Sequence, residues 1–171
     1  MREILFRGQT RKYGEKVRMG DGQKLPGRWV YGGVLQGVGV HSIIYGGEKE
    51  NDPSVGLDKW VVYTDTLGQF TGLTDKNGKK IFEGDILQAK VYETEIEDSP
   101  VWGKNKIRTG NKIDAVWTVE YKNFNASCGY FIYGKDRRFH RLLTCSVIFN
   151  NECEVIGNIH DNPELLEVSH D

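Results

Sequence analysis

Lys104, Lys106, Arg108 and Lys112 stand in KNKIRTGNK, a stretch without an acid, and Lys135, Arg137, Arg138 and Arg141 surround Phe139 and His140 in KDRRFHR. Cations interleaved with aromatics can contact phosphates while bases stack, and small β-barrels hold single strands in this way. The same stretches also read as solvated loops. The formal charge of the chain is -1, and beyond Arg141 there are six acids and no Lys or Arg. Nucleic acid is therefore the second reading of these eight residues.

Other chemistry finds less support. His41, His140, His160 and His170 could be combined on paper with Cys145 and Cys153, but no pair has the short spacing of a zinc module. The three cysteines, Cys128 among them, are odd in number and form no C-x-x-C, which speaks for free thiols in a reducing compartment. No G-x-S-x-G elbow is present, and Ser127-Cys128-Gly129 has no local activator. Gly32, Gly33, Gly37 and Gly39 match neither phosphate-binding glycine pattern and suit a twisted hairpin better. No cofactor or metal is expected, and an enzyme is the least favoured reading.

The elements that would position these residues read as strands. Aromatic and β-branched residues gather in short runs, among them EILFR, GRWVYGG, HSIIYGG, KWVVYTD, GDILQAKVYE, DAVWTVEY, GYFIYG and CEVIGNIH, each bounded by Gly, Asn, Asp or Pro. That is the pattern of an antiparallel, mainly β protein, α+β at most. Ala115, Trp117, Val119 and Tyr121 alternate onto one face, and Leu87 and Ala89 oppose Ile86 and Gln88. RLLTCSVIFN fits a short buried helix or a strand. MGDGQKLPG (19–27), GGEKENDPSVG (46–56) and EDSPVWGKNKIRTGNK (97–112) read as loops, and the acidic run ETEIED (93–98) reads as leading into the last of them. A soft boundary near residue 68 separates a Gly-rich region, 1–68, from a more regular one, 69–171. The two can also form one continuous domain.

Residues 71–87, TGLTDKNGKKIFEGDIL, hold the densest turn chemistry. Asp75-Lys76-Asn77-Gly78 predicts a tight turn and Glu83-Gly84-Asp85 a second, with the Asp75 and Asp85 carboxylates accepting from backbone N–H groups. A calcium loop is excluded, because Leu73 and Gly84 would occupy its first and twelfth positions. Near the end, Asn162-Pro163-Glu164 has the order of a helix start. It predicts a short helix from about Pro163 that packs Leu165 or Leu166 on the core.

TGLTDKNGKKIFEGDIL, EVIGNIHDNPELL (154–166) and the opening REILFRG together resemble the YopX family of phage and prophage proteins. The matching positions include Gly72, Asp75, Gly78, Glu83, Gly84, Asp85, Gly157, Asn158, Asn162, Pro163 and Glu164, most of which turns and caps account for. The resemblance implies a phage or prophage origin and a β-rich fold with an SH3-like small barrel in its C-terminal part. It supplies no reaction.

The expectation is thus a non-catalytic binding or assembly module, soluble in the cytoplasm of a bacterial host and without a membrane segment. Its partner would be a second copy of itself through exposed strand edges, or nucleic acid through the basic loops.

Overall fold

The structure, a computed structural model, describes residues 3–10, 29–36, 41–45, 59–99, 103–124, 127–134, 137 and 140–167. The chain is mainly antiparallel β and divides into two units, Met1–Gly72 and Leu73–Asp171.

In the first unit, β1 (Phe6–Gln9) is followed by three strands rich in aromatic and β-branched residues, β2 (Trp29–Gln36), β3 (His41–Tyr45) and β4 (Lys59–Tyr63). They lie in the order β4-β3-β2-β1, and β5 (Gly68–Thr74) continues the sheet beside β1 before leading into the second unit. A single antiparallel bridge from Thr10 to Val62 links the end of β1 back to β4, so the four strands curl around Val30, Ile44 and Val62. Gly8 lies so close to β4 that a Cβ there would meet the Val62 side chain at 3.0 Å. The turn Thr64–Thr66 is tied to β1 by the Gln9 amide, which donates to Thr66 Oγ1 at 2.9 Å.

The second unit holds β6 (Lys80–Phe82), β7 (Asp85–Ser99), β8 (Gly103–Phe124), β9 (Ser127–Gly134), β10 (His140–Leu142), a short helix α1 (Cys145–Asn150) and β11 (Glu154–Asn158). Its five-stranded sheet runs β10-β9-β8-β7-β11. Leu87, Ala89, Trp117, Val119, Ile132 and Val155 supply one face of the core, and Val147 and Ile148 of α1 pack with them. Burial of a side chain such as Leu87 or Ile132 is worth roughly 1.5–3 kcal/mol. Of the residues from Ala115 to Tyr121, Trp117 and Val119 are buried on one face, Thr118 is buried on the other, and Tyr121 emerges to 46% exposure. α1 starts where the Thr144 hydroxyl accepts the Val147 amide, which settles RLLTCSVIFN as a strand followed by one short helix.

Residues 97–99 and 103–112 are strand rather than the expected loop, and 100–102 lie outside the described residues. Residues 97–99 belong to β7 and residues 103–112 to β8, paired from Glu97↔Asn105 to Ser99↔Gly103, and the acidic run 93–98 is likewise strand. Few apolar residues stand here, so local composition signals a loop, while the ladder itself satisfies the backbone. The stretches 19–27 and 46–56 lie outside the described residues.

A short helix starts at Pro163 as expected, with Asn162 at the N-cap position, but it differs in length and in its cap. Pro163–Leu166 form a single 3-10 turn with both leucines half-buried, and the Asn162 side chain does not cap it. Its Oδ1 instead accepts from the Asn158 amide at 3.4 Å, because Gly157 leaves room for it.

Candidate functional site

The densest motif is occupied by its own backbone. Asp75 is buried, and its Oδ1 accepts the amides of Asn77 at 2.8 Å and Lys79 at 2.9 Å, while its Oδ2 accepts the Val155 amide at 3.0 Å. Lys79 Nζ donates to the Val155 carbonyl, and Lys76 pairs with Glu154 at 2.6 Å, so the turn is fastened to β11 three times over. Gly72, Gly78 and Gly84 hold φ between +82° and +85°, the left-handed region. Asp85 Oδ2 accepts the Phe82 amide at 2.7 Å, and Glu83 Oε1 accepts the Tyr121 amide at 3.2 Å.

The terminal motif is also hydrogen-bonded within itself. Asn158 Oδ1 accepts the amides of His160 and Asp161, and its Nδ2 donates to Asp161 Oδ2 at 2.8 Å. Asn162 Nδ2 approaches Glu164 Oε1 at 3.4 Å, with Pro163 between them at the start of the 3-10 turn. These family positions build corners of the fold.

Of the expected basic residues, Lys112, Arg137 and Arg141 have described side chains. Arg137 donates twice to Glu120, at 2.6 and 3.0 Å, and lies over the Tyr133 ring at 4.7 Å, a ring that His140 stacks against at 5.9 Å. Those guanidinium hydrogen bonds, with help from Lys122, hold the Glu120 carboxyl below the usual glutamate range. Lys112 pairs with Glu152 at 2.5 Å and lies over Tyr92, and Glu152 is depressed in turn by that lysine. Arg141 is exposed on β10 opposite Ile132. Lys135 and Arg138 lie outside the described residues. A phosphate meeting Lys112 or Arg137 would meet a carboxylate beside it.

Lys104, Lys106 and Arg108 are placed differently, on a two-stranded ribbon. β11 pairs with β7 only from Asp85 to Gln88, and β9 pairs with β8 only from Trp117 to Phe124. Beyond Lys90, whose amide donates to the Asn151 carbonyl, β7 and β8 pair with each other alone among the described residues. An irregularity between Tyr92 and Thr94 separates the stem of this ladder from its outer part. There Glu93 alone faces the three residues 109–111, and Gly110 takes φ +86° in open space. The outer part, Thr94–Ser99 with Gly103–Arg108, is a β-arm.

Composition hid the arm, yet a signal for it exists. Glu93-Thr94-Glu95-Ile96-Glu97 and Lys104-Asn105-Lys106-Ile107-Arg108 both alternate with the period of two that a strand requires. Glu120 and Glu152, the counter-ions of Arg137 and Lys112, were missed because their partners lie 17 and 40 residues away.

Among the described residues, no group of three or more His, Cys, Asp or Glu could hold a metal ion, and no helix is long and apolar enough to cross a membrane.

Against known proteins, the family model described as YopX protein matches residues 35–167. No curated protein matches. Among solved structures, the crystal structure of protein EF1440 from Enterococcus faecalis is similar at 28% identity over 74% of this chain and 75% of that chain, with a TM-score of 0.37.

Proposed function

The chain belongs to the YopX family, and we propose that it is a non-catalytic binding or assembly module whose working element is the β7–β8 arm. One observation carries the reading: the Thr94–Ser99 and Gly103–Arg108 ladder has no third strand on either side among the described residues. A two-stranded ribbon offers backbone edges to a partner, and natural proteins otherwise cover or blunt such edges. The family motifs support the same division of labour, since they fasten the sheet that carries the arm. The proposed setting is a phage- or prophage-encoded protein in a bacterial cytoplasm.

Nucleic acid is a second reading, favoured by Lys104, Lys106 and Arg108 at alternate positions of the ribbon. The major groove of a DNA duplex admits an element of this shape. Lys112 and Arg137 would bring their carboxylate partners, Glu152 and Glu120, to such a contact.

The test replaces residues 93–111 by Asn-Gly, which closes the directly paired Tyr92 and Lys112 with a two-residue hairpin turn. Solution mass and affinity for single- and double-stranded DNA and RNA are compared with those of the intact chain. Loss of self-association or of nucleic-acid binding in a still folded variant supports the arm as the working element. If both properties are unchanged, the reading fails.

A further inference from the structure

We infer that the arm is a self-complementary docking element that seats on the arm of a second copy of this chain, acidic face against basic face. The inference rests on the arm being the working element and names its partner.

The register defines the two faces. Thr94, Ile96 and Asp98 stand opposite Arg108, Lys106 and Lys104. Directly opposed residues of an antiparallel ladder occupy the same face. This face therefore holds three cation positions and one anion position, a formal charge of 3 - 1 = +2. Glu95 and Glu97 stand opposite Ile107 and Asn105, so the other face holds two anion positions and no cation, a formal charge of -2. Within the arm, only Asp98↔Lys104 opposes unlike charges. The remaining charges are sorted by face.

That sorting selects a partner. A second copy brings the equal and opposite face with it, and each face also carries one apolar position, Ile96 on the basic side and Ile107 on the acidic side. Like faces repel, which rejects a two-fold contact of a face with itself and favours a head-to-tail contact. A contact of that kind continues into a ring or an open chain of copies. Nucleic acid would engage Lys104, Lys106 and Arg108 but give the acidic face no role.

Three proteins test this by light scattering: the intact chain, the double variant Glu95→Lys with Glu97→Lys, and the double variant Lys106→Glu with Arg108→Glu. The intact chain is expected to show at least twice the single-chain mass at low salt. It should fall to the single-chain mass near 1 M salt, where the screening length is about 3 Å. Each double variant alone should have the single-chain mass, and an equimolar mixture of the two should regain at least a two-fold mass. The recovery also shows that both variants are folded. A single-chain intact protein at low salt, variants that still associate alone, or a mixture that does not recover would overturn the inference.

A DNA duplex titrated into the same three proteins separates this failure from that of the arm reading. If Lys106→Glu with Arg108→Glu loses duplex binding while the mixture stays at single-chain mass, self-docking is overturned and the arm still works, on nucleic acid.

Discussion

The Asp75 carboxylate accepts the Val155 amide at 3.0 Å across 80 residues of chain, so the turn after β5 and the last strand of the sheet are held by one buried side chain. The same carboxylate accepts from Asn77 and Lys79. Asp75→Ala removes the acceptor of three amides at once, and an unsatisfied buried donor costs about 1–3 kcal/mol. A loss of roughly 3 kcal/mol or more is expected in urea unfolding. A loss below about 1 kcal/mol would mean that water replaces the carboxylate.

A Cβ on Gly157 would stand 2.5 Å from Asn162 Oδ1 and 2.9 Å from its Cγ. Gly157→Ala should therefore destabilise the chain by about 1–3 kcal/mol, the range for overpacking. Adding Asn162→Ala should return part of that loss, because the clash and the Asn158 contact leave together. Simple additivity of the two substitutions would show that the close approach is not the reason for the glycine.

Glu120 is held below its ordinary value of 4.5, first by the Arg137 hydrogen bonds. A depressed carboxylate stabilises the fold above the unfolded-state value, and this contribution is lost as pH falls through the folded-state value. Stability should decline on acidification below about pH 4.5, and Arg137→Ala should flatten that part of the profile. The pair is partly exposed, so its share is expected to stay under about 1 kcal/mol. Urea midpoints of both proteins at neutral and acid pH check the sign.

Cys153 is fully buried, and burial pushes its thiol up to about 11, whereas Cys128 and Cys145 are exposed. A thiol reagent at neutral pH should label two cysteines quickly and the third only on unfolding. Fast labelling of all three would show that the core around Val147 and Val155 opens readily.

The legible and illegible parts of this fold divide by range. The DKNG turn, the strand runs and the Trp117–Val119 face follow from adjacent residues, and the turn carboxylates were readable as acceptors of nearby amides. Nothing within ten residues of Asp75 announces Val155. Residues 103–112 looked like a loop because Gly, Asn and Lys dominate them, and only pairing with β7 makes them strand. Asn162 looked like a helix cap, but its side chain is taken by Asn158, a contact that depends on the absent side chain of Gly157. The counter-ions of Arg137 and Lys112 became visible only in the folded sheet.

The most direct measurement is the weight-average mass of the chain in low salt with and without residues 93–111, read beside the urea midpoint of each. The account predicts nearly equal midpoints, because the core of the second unit lies in the stem of the ladder and in β9, β11 and α1. It predicts a mass above the single-chain value only for the intact protein. A single-chain mass for both proteins, or an unchanged multimer once the arm is gone, would contradict it.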